Sequence, residues 1–248
     1  MDLSKFLNRA SVRAFSTERH VDRATLDALL EAASHAPTTG NMQLYSVIVT
    51  TDKALRERLT SLHLGQPAAR DCDALLTFCA DVHRFGKWCS VRHASSGLDN
   101  AGGRITAIID ATIFAQQFVT AAELNGLGCC YLGTVTYDVK GFSDALGLPG
   151  DGSVIPLFSV AVGYPATETR VPSDRLPIGA IVHRDTYHEP TVPEIDSWYA
   201  GKEALEESAR FIAENGKTTL AQVYSEVRYP RELNLSLGEQ LLEVLSHS

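Results

Sequence analysis

Two hydrophobic periods alternate along the chain. Leu26, Leu29, Leu30 and Ala33 follow a 3.6-residue spacing and predict a helix over roughly residues 23–34. Asp22 is its expected N-cap, Val21 and Leu26 stand at staple positions, and Pro37 ends the helical pattern. A second, shorter amphipathic helix is predicted over residues 52–63. Compact apolar runs predict buried strands over residues 44–50, 74–81, 129–135 and 155–164. Residues 81–103 show no clear period and read as an irregular surface excursion, functional or mobile in character. Next, Ile105, Ile108, Ile109, Ile113, Phe118 and Leu124 wrap much of a helix over residues 105–125. Such a helix is expected to be buried on most sides, with Gly126 as its C′ residue.

Helices and strands mix without a regular βαβ repetition. The pattern predicts an α+β domain, a small mixed central sheet between helical layers. From Thr191 onward the chain is polar and helical, through "EIDSWYAGKEALEESARFIAENG" and "TTLAQVYSEV". The expected organisation is therefore a domain over residues 1–190 and a C-terminal helical extension over 191–248 that wraps the domain or a partner subunit.

Composition narrows the function classes. The chain has 248 residues, 44% hydrophobic and 21% charged, with a net charge of -8. No general attraction to nucleic acid or to an anionic membrane surface is expected. The N-terminus lacks the apolar core of a signal peptide, and no stretch reads as long enough to span a membrane. Five scattered cysteines fit reduced thiols in a cytoplasmic protein, packed as small core residues.

Several motifs fail on inspection. "GLGCCYLG" (residues 126–133) lacks the third glycine of a dinucleotide fingerprint and follows a helix instead of opening one. Walker A, H-E-x-x-H and G-x-S-x-G sequences are absent, and His63, His83 and His93 lack metal-ligand spacing, so no metal site is expected. His183 reads either as a general base or as a hydrogen-bonded structural residue. What survives is a polar set. Arg9, Ser11 and Arg13 alternate, so in an extended segment they share one face. Two guanidiniums flanking a hydroxyl suit a phosphate, though a solvated basic edge reads the same way. The loop "APTTGNMQ" (residues 36–43) holds Thr38, Thr39, Asn41 and Gln43, neutral donors and acceptors that suit the edge of a planar heterocycle or a helix stop followed by a turn. Arg175 in "RLP" adds a third cation, or else a surface ion pair.

Taken in order, Arg9-x-Ser11-x-Arg13-x-Phe15, "APTTGNMQ", "GLGCCYLG", "GYP" and "RLP…VH…Y" resemble the FMN-dependent nitroreductase family. "HLGQPAARDCDALLTFCAD" and the "RLP…VH" ending are most similar to its NADPH-preferring, oxygen-insensitive nitroreductase and flavin reductase branch. The resemblance covers about residues 6–187. It implies the three-layer nitroreductase-like fold, an obligate homodimer with FMN at the subunit interface, and a C-terminal arm that embraces the partner. It implies FMN phosphate and ribityl contacts at Arg9, Ser11, Arg13 and Arg175, and isoalloxazine or ribityl contacts at Thr38, Thr39, Asn41 and Gln66. It also implies that backbone after Tyr131 and Leu132, at Gly133, faces the flavin. Ala10, Ser173 and Thr134 depart from the branch's pattern: a basic residue, a lysine and a second glycine are usual there. Arg170 is a nearby replacement for the missing lysine charge, and Lys202 is the candidate for a nicotinamide phosphate.

The implied activity is ping-pong two-electron transfer from NADPH or NADH through FMN to small planar acceptors such as nitroaromatics, quinones or free flavin. No side chain is required as a catalytic nucleophile. Two alternatives stand beside it. One is an FMN-dependent oxidase, dehalogenase or flavin-cleaving enzyme on the same scaffold. The other is a non-enzymatic flavin- or partner-binding module.

Overall fold

A computed structural model describes residues 3–167 and 171–246. The chain divides into two compact units, Met1–Val171 with Gln240–Ser248, and Pro172–Glu239. The expected division after residue 190 lies within the second of these.

The first unit opens with a short helix, α1 (Ser4–Leu7), followed by α2 (Arg23–Ser34). Asp22 caps α2 by accepting from the Thr25 N–H, and Leu26, Leu29 and Ala33 form its buried face. Then follow β1 (Tyr45–Thr50), α3 (Lys53–Leu62), α4 (Pro67–Asp71) and β2 (Ala74–Asp81). After them come α5 (His83–Val91), α6 (Ala101–Leu124), β3 (Gly128–Leu132), α7 (Val139–Leu146) and β4 (Val154–Gly163). The strands form one sheet in the order β1-β2-β4-β3. Every pairing is antiparallel, so the sheet is not the mixed one expected from the sequence.

Strand alternation sends side chains into two cores. Ala74, Leu76, Phe78, Cys129, Val160 and Val162 pack with α2 and α6 on one face. Leu75, Cys130, Leu132 and Ala161 pack with Leu59 of α3, Ala68 and Ala69 of α4, and Phe142 of α7 on the other. Three layers result, as expected. β2, paired on both sides, is buried along its whole length; β1 is an edge strand and only partly buried, with Val49 exposed.

Two helices differ from the sequence reading. The irregular excursion contains α5, whose only buried residue is Cys89. α6 begins four residues earlier than expected, capped by Asn100, which accepts from the Gly103 N–H. α6 is also not buried on most sides. Ala107, Ala111, Phe114, Phe118 and Val119 face the sheet, whereas Ile105, Ile109 and Ile113 are 52%, 52% and 39% exposed. Its 24 residues are long and apolar enough to cross a membrane by length and composition, contrary to expectation. Its inner face, however, belongs to the core against the sheet.

The second unit carries α8 (Val192–Glu203), α9 (Glu206–Glu214) and α10 (Leu220–Gln222), the last running into a π-helical turn, Val223–Arg228. α11 (Arg231–Ser246) follows, and from Gln240 its residues group with the first unit. Thr191 and Glu194 form a capping box on α8, so the polar tail does fold into defined helices.

Candidate functional site

The segment before α2 runs beside β3. Val12 donates its N–H to the Cys129 carbonyl at 3.0 Å, and Phe15 bridges to Pro165. Close approach is possible because position 128 is glycine: a Cβ there would lie 2.6 Å from the Val12 side chain. Ala10 and Val12 point inward, and Arg9, Ser11 and Arg13 fall on the outer side of this extended stretch. The three do share a face, but their engagements differ. Arg9 Nε pairs with Glu123 Oε2 of α6 at 3.0 Å. Arg13 is exposed and has no ion pair among the described residues. Both guanidiniums lie near enough to Cys130 to oppose, in part, the upward push of burial on its thiol pKa.

β3 ends at Leu132, and Gly133 opens a short 3₁₀ turn, Gly133–Tyr137. Nothing lies within 4 Å of the place a Gly133 Cβ would occupy, so this backbone borders open space. Leu132 turns its side chain into the core, leaving only its main chain for a ligand. Tyr131 lies on the α6 side, its ring 5.3 Å from that of Phe158, its hydroxyl donating to Gln116 at 3.4 Å. Burial foremost, then Glu123 and Cys129 against the opposing Arg9, pushes its phenol up to about 12, so it stays a neutral donor.

Gln66 reaches the same turn: its Nε2 donates to Thr134 Oγ1 at 3.3 Å. Beside it lies a residue that metal-spacing reasoning had passed over. His63 is fully buried, with Nδ1 2.7 Å from Thr134 Oγ1 and Nε2 3.1 Å from Ser159 Oγ.

The loop after α2 is held by another residue invisible to motif reading. Asp110, buried in the middle of α6, accepts from Thr38 Oγ1 at 2.6 Å, from the Thr39 N–H and Oγ1 at 3.0 Å each, and from the Leu44 N–H at 3.3 Å. Thr38 Oγ1 in turn accepts from the Gln43 N–H at 2.9 Å. Arg84 of α5 grips the loop's other end through the Gln43 and Tyr45 carbonyls. Between these anchors Gly40, Asn41 and Gln43 all have φ near +55°. Left-handed backbone at two non-glycine residues stores strain of order 1 kcal/mol or more apiece. The Thr38 hydroxyl is thus committed within the protein. Thr39, Asn41 and Gln43 are exposed, and the Gln43 amide lies against Asn41.

No hydrogen bond among the described residues joins these three groups: the Arg9–Arg13 segment, the Gln66–Thr134 turn and the Thr38–Gln43 loop. In the second unit Arg175 is exposed and folds its Nη1 back on the Ser173 and Asp174 carbonyls. It lines a cavity of about 570 Å³ together with Asp174, Trp198, Tyr199 and Lys202. The Lys202 ammonium sits 4.4 Å from the centre of the Tyr224 ring. His183 accepts the His188 N–H at 3.2 Å. Arg170 lies outside the described residues. All five cysteines are free and buried, and burial pushes the Cys72 and Cys79 thiols up to about 11 and about 12.

Neutral amides at the turn and loop, a guanidinium without an ion pair among the described residues, and open glycine backbone are the group types that a planar, phosphorylated heterocycle such as FMN takes. Comparisons with known proteins agree with that chemistry. The sequence model described as "Nitroreductase family" matches residues 7–164. The FMN reductase (NADPH) of Bacillus subtilis is 32% identical over 188 residues, 75% of this chain and 74% of that one. The oxygen-insensitive NADPH nitroreductase of Salmonella typhimurium is 33% identical over 177 residues, 71% and 70% of the respective chains. A solved structure from Bacteroides fragilis is 43% identical and superposes with a TM-score of 0.93, covering 98% of this chain and 97% of that one.

Proposed function

This chain belongs to the nitroreductase family, and on that premise we propose that it is an FMN-dependent oxidoreductase taking electrons from NADPH or NADH. When bound, FMN supplies the hydride chemistry that carries two electrons to a nitroaromatic, a quinone or free flavin. The observation that carries the reading is the β3 edge: Arg13 and Ser11 line the segment bonded to this strand, and open Gly133 backbone ends it. A cofactor phosphate finds in Arg13 an exposed guanidinium that pairs with no carboxylate among the described residues. Arg9, already paired with Glu123, adds charge but keeps only its remaining N–H groups for binding.

Each remaining residue has a binding or orienting role. Gln66 and Gly133 hold the ring edge, Leu132 through its main chain. Asn41 offers its amide, and Thr39 the remaining acceptor capacity of a hydroxyl that donates to Asp110, from a loop whose shape Asp110 fixes. Arg175 and Lys202 put two cations on one cavity of the second unit, which suits phosphate groups of the cofactor and of the nicotinamide nucleotide. No side chain needs to act as nucleophile or general acid, and substrates enter in turn.

The exposed Ile105, Ile109 and Ile113 lie at i, i+4 and i+8 on α6, an apolar stripe that a second copy of the chain would cover. A homodimer explains why the candidate residues fall into groups not joined by hydrogen bonds: a site at the interface draws them from two protomers. Five free thiols and the absence of a disulfide among the described residues suit the cytoplasm. Loss of the visible flavin band when NADPH is added without oxygen tests this reading.

A further inference from the structure

A continuous line of side-chain hydrogen bonds runs from the middle of the sheet to the Gly133–Tyr137 turn. Thr77 Oγ1 of β2 lies 3.0 Å from Ser159 Oγ of β4. Ser159 Oγ lies 3.1 Å from His63 Nε2, and His63 Nδ1 lies 2.7 Å from Thr134 Oγ1. Gln66 Nε2 joins at that same oxygen. The inner three residues are fully buried, and Thr134 and Gln66 are half-buried at the outer end. The line therefore ends at Gln66 and at the neighbour of Gly133.

Such a line is not needed to fill space. An apolar set replacing Thr77, Ser159 and His63 together could fill the same space, since replacing both partners of a buried hydrogen bond by apolar groups of the same shape is nearly neutral. What a satisfied polar line adds is orientation. The His63 ring cannot easily turn, because Phe142 packs on it at 4.7 Å between centroids. His63 is also held by the backbone, since Leu64 and Gly65 take φ of +57° and +73° in the turn that carries the chain to Gln66. Burial pushes the imidazole down to about 4, so at neutral pH it presents one N–H and one lone pair.

We propose that His63 is a positioning residue: through Thr134 Oγ1 it sets the orientation of the Gly133–Thr134 backbone and of the Gln66 amide toward the FMN ring. This rests on the FMN reading above. His63 touches neither cofactor nor substrate; it acts through Thr134.

The test uses the full-length apoprotein. Thr134→Val keeps the shape of a half-buried side chain and removes the hydroxyl, so the fold is retained. FMN titration by fluorescence quenching should show affinity about tenfold weaker than wild type, with a shifted midpoint potential of the bound flavin. The apoprotein should stay folded, with a thermal midpoint lower by a few degrees because the buried His63 Nδ1 loses its partner. Thr134→Ser should restore both values, and adding His63→Leu to Thr134→Val should weaken FMN binding no further. A folded Thr134→Val protein with wild-type affinity and potential would overturn the proposal, as would a Thr134→Ser protein that fails to recover. Wild-type protein that does not bind FMN would instead overturn the functional reading on which the proposal rests.

Discussion

His63 engages both ring nitrogens with hydroxyls, and that gives it a pH signature. In the unfolded chain the imidazole binds a proton below about 6.5; in the folded protein it does so only below about 4. The unfolded state therefore holds more protons between these values, so stability is complete above 6.5 and falls as the pH drops toward 4. The difference amounts to about 3 kcal/mol. Urea unfolding at pH 7 and pH 4.5 should show a loss that is largely absent in folded His63→Gln; an equal loss in both proteins would assign the acid sensitivity elsewhere. At this scale the sequence was legible where chemistry has a local pattern. Arg9, Ser11 and Arg13 alternate with apolar Ala10 and Val12, so their common face can be read directly. His63 has no such pattern, because its partners stand 71 and 96 residues away in sequence.

Among the elements, α6 does more than fill the core. Its Asp110 has no ion pair among the described residues, and its carboxylate is met by four donors from the loop between α2 and β1. These bonds hold left-handed backbone at Gly40, Asn41 and Gln43 in place. Asp110→Ala leaves the Leu44 and Thr39 N–H groups without their acceptor, and should cost about 3 kcal/mol, lowering Tm by roughly 10 °C. Calorimetry of the apoprotein checks this, and an unchanged Tm would show that the loop holds itself. Pro37 and Gly40 made the turn legible in advance. Asp110 was not legible, since an acid within an apolar helix announces no partner. α5 and the first turn of α6 were also missed. α5 is short, with Phe85, Trp88 and Cys89 repeating over little more than one turn and one buried residue, and Gly102 with Gly103 reads as a break although Asn100 caps there.

For the whole molecule, the α+β class and three layers followed from the order of periodic segments, but the sheet's topology did not. β2 and β4 are neighbours although three helices and β3 separate them in the chain, and only long-range packing decides that every pair runs antiparallel. The apolar circumference of α6 suggested burial on most sides; the single chain instead leaves Ile105, Ile109 and Ile113 exposed. Ile109→Glu places a charge in the middle of that stripe. Sedimentation should show wild-type dimers and Ile109→Glu monomers, whereas monomeric wild type would remove the dimer from the account. The central claim is flavin-mediated electron transfer, and anaerobic reduction of FMN-loaded protein tests it most directly. Wild-type protein should retain FMN through desalting and lose its visible absorbance on addition of NADPH or NADH, with the colour restored by a quinone; Arg13→Ala should retain much less FMN. Protein that stays colourless after incubation with FMN, or that holds FMN unreduced by either nucleotide, would contradict the account.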